Sequence, residues 1–391
     1  MRTDMQTDID QIGARLRLAM PSGQHSLARF GNRSRNLAER HDVRAKVLNC
    51  STNERGQPFQ NGKPWGTVVL QWRQRLARIV CGLALVVWGG LQGELFGQSP
   101  LVKLSEAADG TFEFTIEDRL LTRLHTSGFN KPILYPVMAH GQVSMTRAWP
   151  MEDPDSGETD HVHHKSIWYG HGDVNGIDFW AEKGAICVDR CVADFANSSV
   201  QLHSTWRVGE TPVCQDVTTI RCGAEETTRW IDFDIRIQAA FGPVHMGDTK
   251  EGFMAIRTHP DLRLTADPRR GVLEVFGQAE NSAGEVGQAI WGRPAQWVFY
   301  SGKVGGESVG IAILDHPENL RHPTTWHARD YGLIAANPFG LHEFLKKERG
   351  AGAVEIPAGE ELRLRYRFVL VRLDESQPDI HQLFEEYANS K

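Results

Sequence analysis

From Leu101 onward apolar and polar residues alternate in short runs, the period of two that sends successive side chains to opposite faces of a strand. The alternation is clearest at Thr111–Glu117 (TFEFTIE), Arg229–Gln238 (RWIDFDIRIQ) and Glu361–Leu370 (ELRLRYRFVL), which predicts half-buried strands there. More continuous apolar runs predict buried strands at Ile133–Val137, Val200–Trp206, Val217–Ile220, Phe253–Ile256, Val272–Val275, Gln296–Tyr300 and Val309–Leu314. Gly, Pro, Asn and Asp punctuate these runs, and Ile356–Glu360 (IPAGE) reads as the turn of a hairpin. A helical period occurs near the end, at Asp379–Ala388, where Ile380, Leu383, Phe384 and Tyr387 share one face. Strands that succeed one another without helices predict an all-β fold: a large antiparallel β-sandwich with few helices, spanning 100–391 as a single domain.

The pattern before residue 100 is different. Residues 78–91 (RIVCGLALVVWGGL) are apolar apart from Arg78, and Arg73 and Arg75 precede them. A basic stretch, an apolar core at 79–91 and small or polar residues through Ser99 make the layout of a secretory signal peptide over 69–99. An uncleaved N-terminal anchor is the competing reading, although the run falls short of the roughly 20 residues a spanning helix needs. Residues 1–68 sustain no apolar period, as expected of a disordered leader or of translation from an upstream start codon. Export places the folded domain in the periplasm or outside the cell.

Charge divides the chain at the same place. Of 43 Lys+Arg and 49 Asp+Glu, 14 and 6 lie in residues 1–78, which leaves 29 and 43, a net −14, for the remainder. So acidic a body argues against nucleic acid and anionic membrane as partners. Cys187, Cys191, Cys214 and Cys222 follow the signal, either as two disulfides in an oxidising compartment or as buried free thiols on strands.

Candidate chemistry concentrates in HVHHKSIWYGHGDVNGIDFW, His161–Trp180, which holds four of the sixteen histidines. Imidazoles beside carboxylates suit proton transfer near neutral pH or metal ligation. His161, His163, His164 and His171 are the candidates, with Asp173, Asn175 and Asp178 as polar partners and Trp168 and Trp180 as flat faces for a sugar ring. If a metal is held, His161, His163 and His171 are its expected ligands; no cofactor is otherwise expected. A second polar and aromatic stretch, bracketed by Pro and Gly, runs from Asp315 to Gly340 and supplies His316, Arg321, His327 and Asn337. A third, Glu251–Arg257 (EGFMAIR), flanks a buried strand with Glu251 and Arg257.

Four stretches, YPVMAHGQVSMTRAWP (135–150), DHVHHKSIWYGHGDVNGIDFW (160–180), EGFMAIR (251–257) and DHPENLRHPTTWHARDYGLIAANPFG (315–340), resemble a bacterial family of unknown function labelled PmoA-like, after methane oxygenase. The label implies a multi-spanning membrane subunit, which the sequence after residue 100 cannot form, so methane oxidation is rejected. Members of the family look like the β-sandwiches of galactose mutarotases and related sugar-active proteins. That likeness implies a histidine and a glutamate acting together, roles falling to His163 or His171 and to Glu251. The expectation is an exported protein acting on a sugar or glycan fragment as an epimerase, hydrolase or lyase, with His163, His171, Glu251 and His327 catalytic. His161, His164, Trp168, Asp173, Asn175, Asp178, Trp180, Arg257, His316, Arg321 and Asn337 are expected to bind substrate. The alternatives are a non-catalytic carbohydrate-binding module and a metal-dependent hydrolase or oxygenase.

Overall fold

Every second residue of the longest strands is buried, and it is this alternation that assembles two sheets around one apolar layer. The computed structural model describes residues 101–153, 159–268, 272, 274–373 and 378–390. The first strands in chain order are β1 (Val102–Glu106), β2 (Phe112–Ile116), β3 (Arg119–His125), β4 (Ile133–Val137), β5 (Ile167–Tyr169) and β6 (Ala185–Asp194). They continue with β7 (Ser199–Val208), β8 (Thr211–Ala224), β9 (Thr228–Gln238), β10 (Val244–Met246), β11 (Met254–Arg257) and β12 (Gln278–Asn281). The last six are β13 (Trp297–Val304), β14 (Glu307–Asp315), β15 (Thr325–Trp326), β16 (Leu333–Asn337), β17 (Val354–Ile356) and β18 (Glu361–Arg372). Two α-helices complete the described residues, α1 (Leu341–Leu345) and α2 (Ile380–Ala388).

One eight-stranded sheet runs β1-β2-β3-β4-β5-β11-β16-β15 and the other β12-β13-β14-β18-β9-β8-β7-β6, with β10 and β17 as a separate pair. The pairings are antiparallel, so the chain folds as the all-β sandwich its alternation predicts. Phe114, Leu124, Ile167, Met254, Ile256 and Ile334 of the first sheet pack against Leu202, Trp206, Ile231, Ile311, Leu364 and Phe368 of the second. One polar node crosses this core: buried Asp216 accepts hydrogen bonds from Trp206 Nε1 at 2.7 Å, Thr218 Oγ1 at 2.6 Å and Tyr169 Oη at 3.1 Å. Burial nonetheless pushes its carboxyl up to about 6.

The outer faces differ in how they meet water. On the second sheet α2, capped by the Asp379 carboxylate on the His381 and Gln382 amides, lays Ile380, Phe384 and Tyr387 over Trp297, Phe299 and Val371. Beyond the helix that face carries cross-strand ion pairs, Arg363 with Asp234 at 2.7 Å and Arg367 with Asp232 at 2.6 Å. No helix among the described residues is long and apolar enough to cross a membrane.

Two expectations are corrected, the IPAGE hairpin and the Val272–Val275 strand, and of the two alternatives for the cysteines the free thiols hold. IPAGE does not close a hairpin, because β17 pairs with β10 while β18 pairs with β14 and β9; the turn passes the chain from one sheet to another. Cys187, Cys191, Cys214 and Cys222 are free. Val272 makes a single bridge to Asp267 in place of a strand, and part of Val272–Val275 lies outside the described residues, as do the leader and signal segment before residue 100.

Candidate functional site

The half of the first sheet formed by β5, β11, β16 and β15 is buried on both faces, and its outer face carries the site. The period of two turns Ile167, Tyr169, Met254, Ile256, Ile334 and Ala336 into the sandwich. It turns Trp168, Ala255, Leu333 and Ala335 outward, where with Ile133, Tyr135 and Trp180 they form a second apolar cluster. The small side chains of Ala255 and Ala335 leave room above β11 and β16. A cavity of about 470 Å³ occupies that side of the sheet. Three segments distant in sequence converge on it: His161, His163, His164, Asp178 and Trp180 from the histidine-rich segment, Lys250 and Glu251 from the approach to β11, and His327, Arg329 and Tyr331 from the β15–β16 connection.

Backbone pairing fixes the last two walls. His327 and Ala335 exchange hydrogen bonds, and Arg329 donates to Leu333 at 2.8 Å, so residues 327, 329 and 331 recur on the side of the cavity. The Gly172 amide donates to the Glu251 carbonyl at 2.6 Å, and a Cβ on Gly172 would lie 2.7 Å from Glu251 Cβ. Gly172→Ala should therefore push Glu251 out of place and lower stability by about 1–3 kcal/mol, measured by urea unfolding; a change within error would contradict this packing.

The histidines are held by stacking. Tyr331 stacks on His161 at 5.2 Å, His161 on His164 at 4.7 Å, and His164 on Trp168 at 5.3 Å, with His163 edge-on to His164 at 4.5 Å. His161 Nδ1 lies 3.0 Å from the Asp160 carboxylate, which also takes Arg147 at 2.7 Å and lies 3.7 Å from Arg257. The Arg257 guanidinium covers the far face of this arrangement, 4.3 Å from the Tyr331 ring centre. Behind His163, buried Lys131 donates to the His163 carbonyl at 2.8 Å and to the Trp180 carbonyl at 3.4 Å. Lys131 and Lys165 share the Glu182 carboxylate, and burial brings the Lys131 ammonium down to about 8.

The same burial governs the imidazoles. His163 is pushed down to about 4 by desolvation and by the Lys131 charge, and His327 down to about 4 mainly by desolvation. Both rings are neutral at pH 7. His327 Nδ1 sits 3.0 Å from the Lys250 carbonyl, an acceptor only, so Nδ1 carries the proton and donates. The lone pair is therefore on Nε2, which is buried without a protein partner. Glu251 Oε2 stands 3.9 Å from that ring's Nδ1, and its Oε1 pairs with Lys250 Nζ at 3.0 Å.

Of the predicted site residues, His161, His163, His164, Asp178, Trp180, Glu251 and His327 share the cavity. Trp168 and Arg257 stand behind its walls, buried to 1% exposure. Trp180 is equally buried, so neither tryptophan offers an open face for a sugar to stack on. His171 is elsewhere: its Nε2 donates to the Gly247 carbonyl at 2.8 Å and its ring packs on Phe339. That separation also breaks up the set His161, His163 and His171; among the described residues no group of three or more His, Cys, Asp or Glu is placed to hold a metal ion. Asp173 accepts from the Gly176 amide as a turn former, and Asn175 accepts from the His245 amide, which ties its loop to β10. Asn337 accepts from the Phe339 and Gly340 amides and donates to the Thr249 carbonyl, which ties down the loop bearing Lys250 and Glu251. Arg321 spends its guanidinium on the carbonyls of Pro338 and Gly352, and His316 packs edge-on against Tyr387 under α2. The sequence reading missed Lys131, Lys250 and Arg329 as members of the site. A lysine just ahead of the apolar run of β4 was the available signal for Lys131.

An antiparallel sandwich with a histidine-rich polar cavity on the outer face of one sheet is the class of protein these features define. Residues 111–385 match the family described as "Family of unknown function (DUF6807)", and the chain belongs to that family. No curated protein matches the chain. Among solved structures it is similar to the 4-alpha-glucanotransferase of Thermococcus litoralis, at TM-score 0.27 and 9% identity over 71% of this chain and 40% of that one. A likeness so slight carries no argument about function, and the chain spans well under half of that enzyme's length.

Proposed function

We propose that the protein is an exported carbohydrate-active enzyme whose cavity performs acid–base chemistry on a sugar or glycan fragment. The observation that carries this reading is the convergence of His163, Glu251 and His327, far apart in sequence, on one cavity of about 470 Å³. That volume is within the usual range of small-molecule sites, roughly 300–1,000 Å³. The resemblance to sugar-active sandwiches supplies the substrate class, and the likeness to the group labelled PmoA-like is retained only as kinship.

The roles in this reading differ from those a histidine acid would take. Neutral His327, with its lone pair on Nε2, accepts a proton, and Glu251 beside it holds the second acceptor. Donors on the walls are the Lys250 ammonium and the Tyr331 hydroxyl. His171 takes no part. A polar pocket whose aromatic faces are already stacked on one another favours catalysis over a binding module, which would present an open aromatic strip.

Purified full-length protein screened against mono- and oligosaccharides, by thermal shift and product analysis, tests the reading. At least one sugar should stabilise the protein and be converted, with Glu251→Gln slowing conversion by about 10²–10⁴-fold. Stabilisation without conversion would mark a binding module instead. Export through the signal at 69–99 predicts that the protein partitions to the periplasmic or culture fraction of its host; recovery in the cytoplasm alone would contradict it.

A further inference from the structure

The charge at the cavity runs against that of the body around it. Residues 79–391 carry a net −14, yet six cations, Lys131, Arg147, Lys165, Lys250, Arg257 and Arg329, stand at or directly behind the walls against four carboxylates, Asp160, Asp178, Glu182 and Glu251. The acids are already engaged. Glu182 is shared by two buried lysines, Glu251 pairs with Lys250, and Asp178 accepts from the Ala181 amide at 2.7 Å. Among the described residues no carboxylate pairs with the Arg329 guanidinium, which lines the cavity with its charge 5.4 Å from the Tyr331 ring centre. With no ion-pair partner among the described residues, the Arg329 guanidinium is available to an anion, and its planar fork matches a carboxylate in two parallel hydrogen bonds. Arg329 and His327 lie two residues apart on one side of the chain, roughly 6–7 Å along an extended backbone, within the span of one sugar ring and its substituents.

We infer that the sugar this cavity takes is acidic, a hexuronic acid unit whose carboxylate is received by Arg329 while its ring hydroxyls face Glu251 and His327. The inference rests on the carbohydrate reading above and names the substrate class for the same cavity.

Calorimetric titration of the full-length protein with sodium glucuronate, sodium galacturonate, glucose, galactose and sodium acetate tests it, repeated on Arg329→Gln. A uronate should bind at least about tenfold more tightly than its neutral counterpart, and Arg329→Gln should remove about that factor while leaving the neutral sugars unchanged. Equal binding of neutral and acidic sugars would overturn the inference and leave the carbohydrate reading standing. Acetate binding as tightly as the uronates, or a uronate preference that survives Arg329→Gln in a correctly folded variant, would overturn it as well. If no sugar of either kind binds, both readings fall together. Should Arg329→Gln not fold, the parent protein decides the question: chloride and acetate should compete with the uronates and not with the neutral sugars, and an absence of that competition overturns the inference.

Discussion

His327→Asn is expected to lower turnover of the sugar substrate by about 10²–10⁴-fold with the fold intact, the usual weight of a positioned proton-transfer group. The amide of asparagine can replace Nδ1–H in its bond to the Lys250 carbonyl, now 3.0 Å, so the loop holding Glu251 keeps its anchor. What asparagine lacks is the lone pair of Nε2. The loss should therefore appear in kcat, with substrate affinity little changed, and circular dichroism and urea unfolding should match the parent protein. Turnover within threefold of the parent would remove His327 from the reaction and leave Glu251 as the sole acceptor. The pH dependence carries the same sign. A base pushed down to about 4 stays unprotonated through neutrality, so activity should hold level from neutral pH downward and fall only as the pH nears that value.

The second large effect is acid lability of the fold. His171 is fully buried and pushed down to about 4, against 6.5 when the chain is unfolded, chiefly by desolvation. A group whose folded value is depressed stabilises above its unfolded value and loses that contribution as the pH falls toward the folded one. Below 6.5 the unfolded chain takes up protons that His171 and His327 refuse, and each costs on the order of 3 kcal/mol by about pH 4. Asp216 works in the opposite sense: its carboxyl is raised to about 6, so its stabilising contribution belongs to acid pH and disappears as the pH rises through that value. Burial raises the Asp315 carboxyl as well, but three deeply buried imidazoles, His171, His327 and His164, outweigh the two carboxyls, and His163 and His316, less enclosed and also lowered to about 4, add to the same side. Urea unfolding at pH 7, 5.5 and 4.5 should show stability falling steadily, with a shallower fall in His171→Gln. A free energy that is flat or rising toward pH 4.5 would contradict this balance.

Strands were legible wherever one face is wet. β9 and β18 alternate cleanly because Asp232, Asp234, Arg363 and Arg367 line a solvent-facing ladder, and β4 follows directly on Pro132 as a short apolar run. Pairing was not legible. IPAGE has the composition of a hairpin turn, but composition cannot say which sheet each flank joins, and β17 leaves for β10. In the site, clustering in sequence found His161, His163 and His164, while His171 was misplaced by the same clue: Gly170 and Gly172 turn the chain, and its ring goes under Gly252 to the Gly247 carbonyl. Glu251 and His327 were named singly, and their meeting depends on β11 and β16 being neighbours, which no local pattern encodes. Arg329 carries no signal in the sequence because an arginine in a loop is ordinarily solvated; its place on the cavity wall follows only from the fold.

The most direct test of the account is a pH titration of the histidine ring nitrogens of the full-length protein by nitrogen-15 NMR, with and without sugar. The prediction is that His327 stays neutral below pH 5 with its proton on Nδ1, and that its Nε2 resonance moves when sugar is added. A His327 that titrates near 6.5, or that carries its proton on Nε2, would contradict an unprotonated Nε2 acceptor.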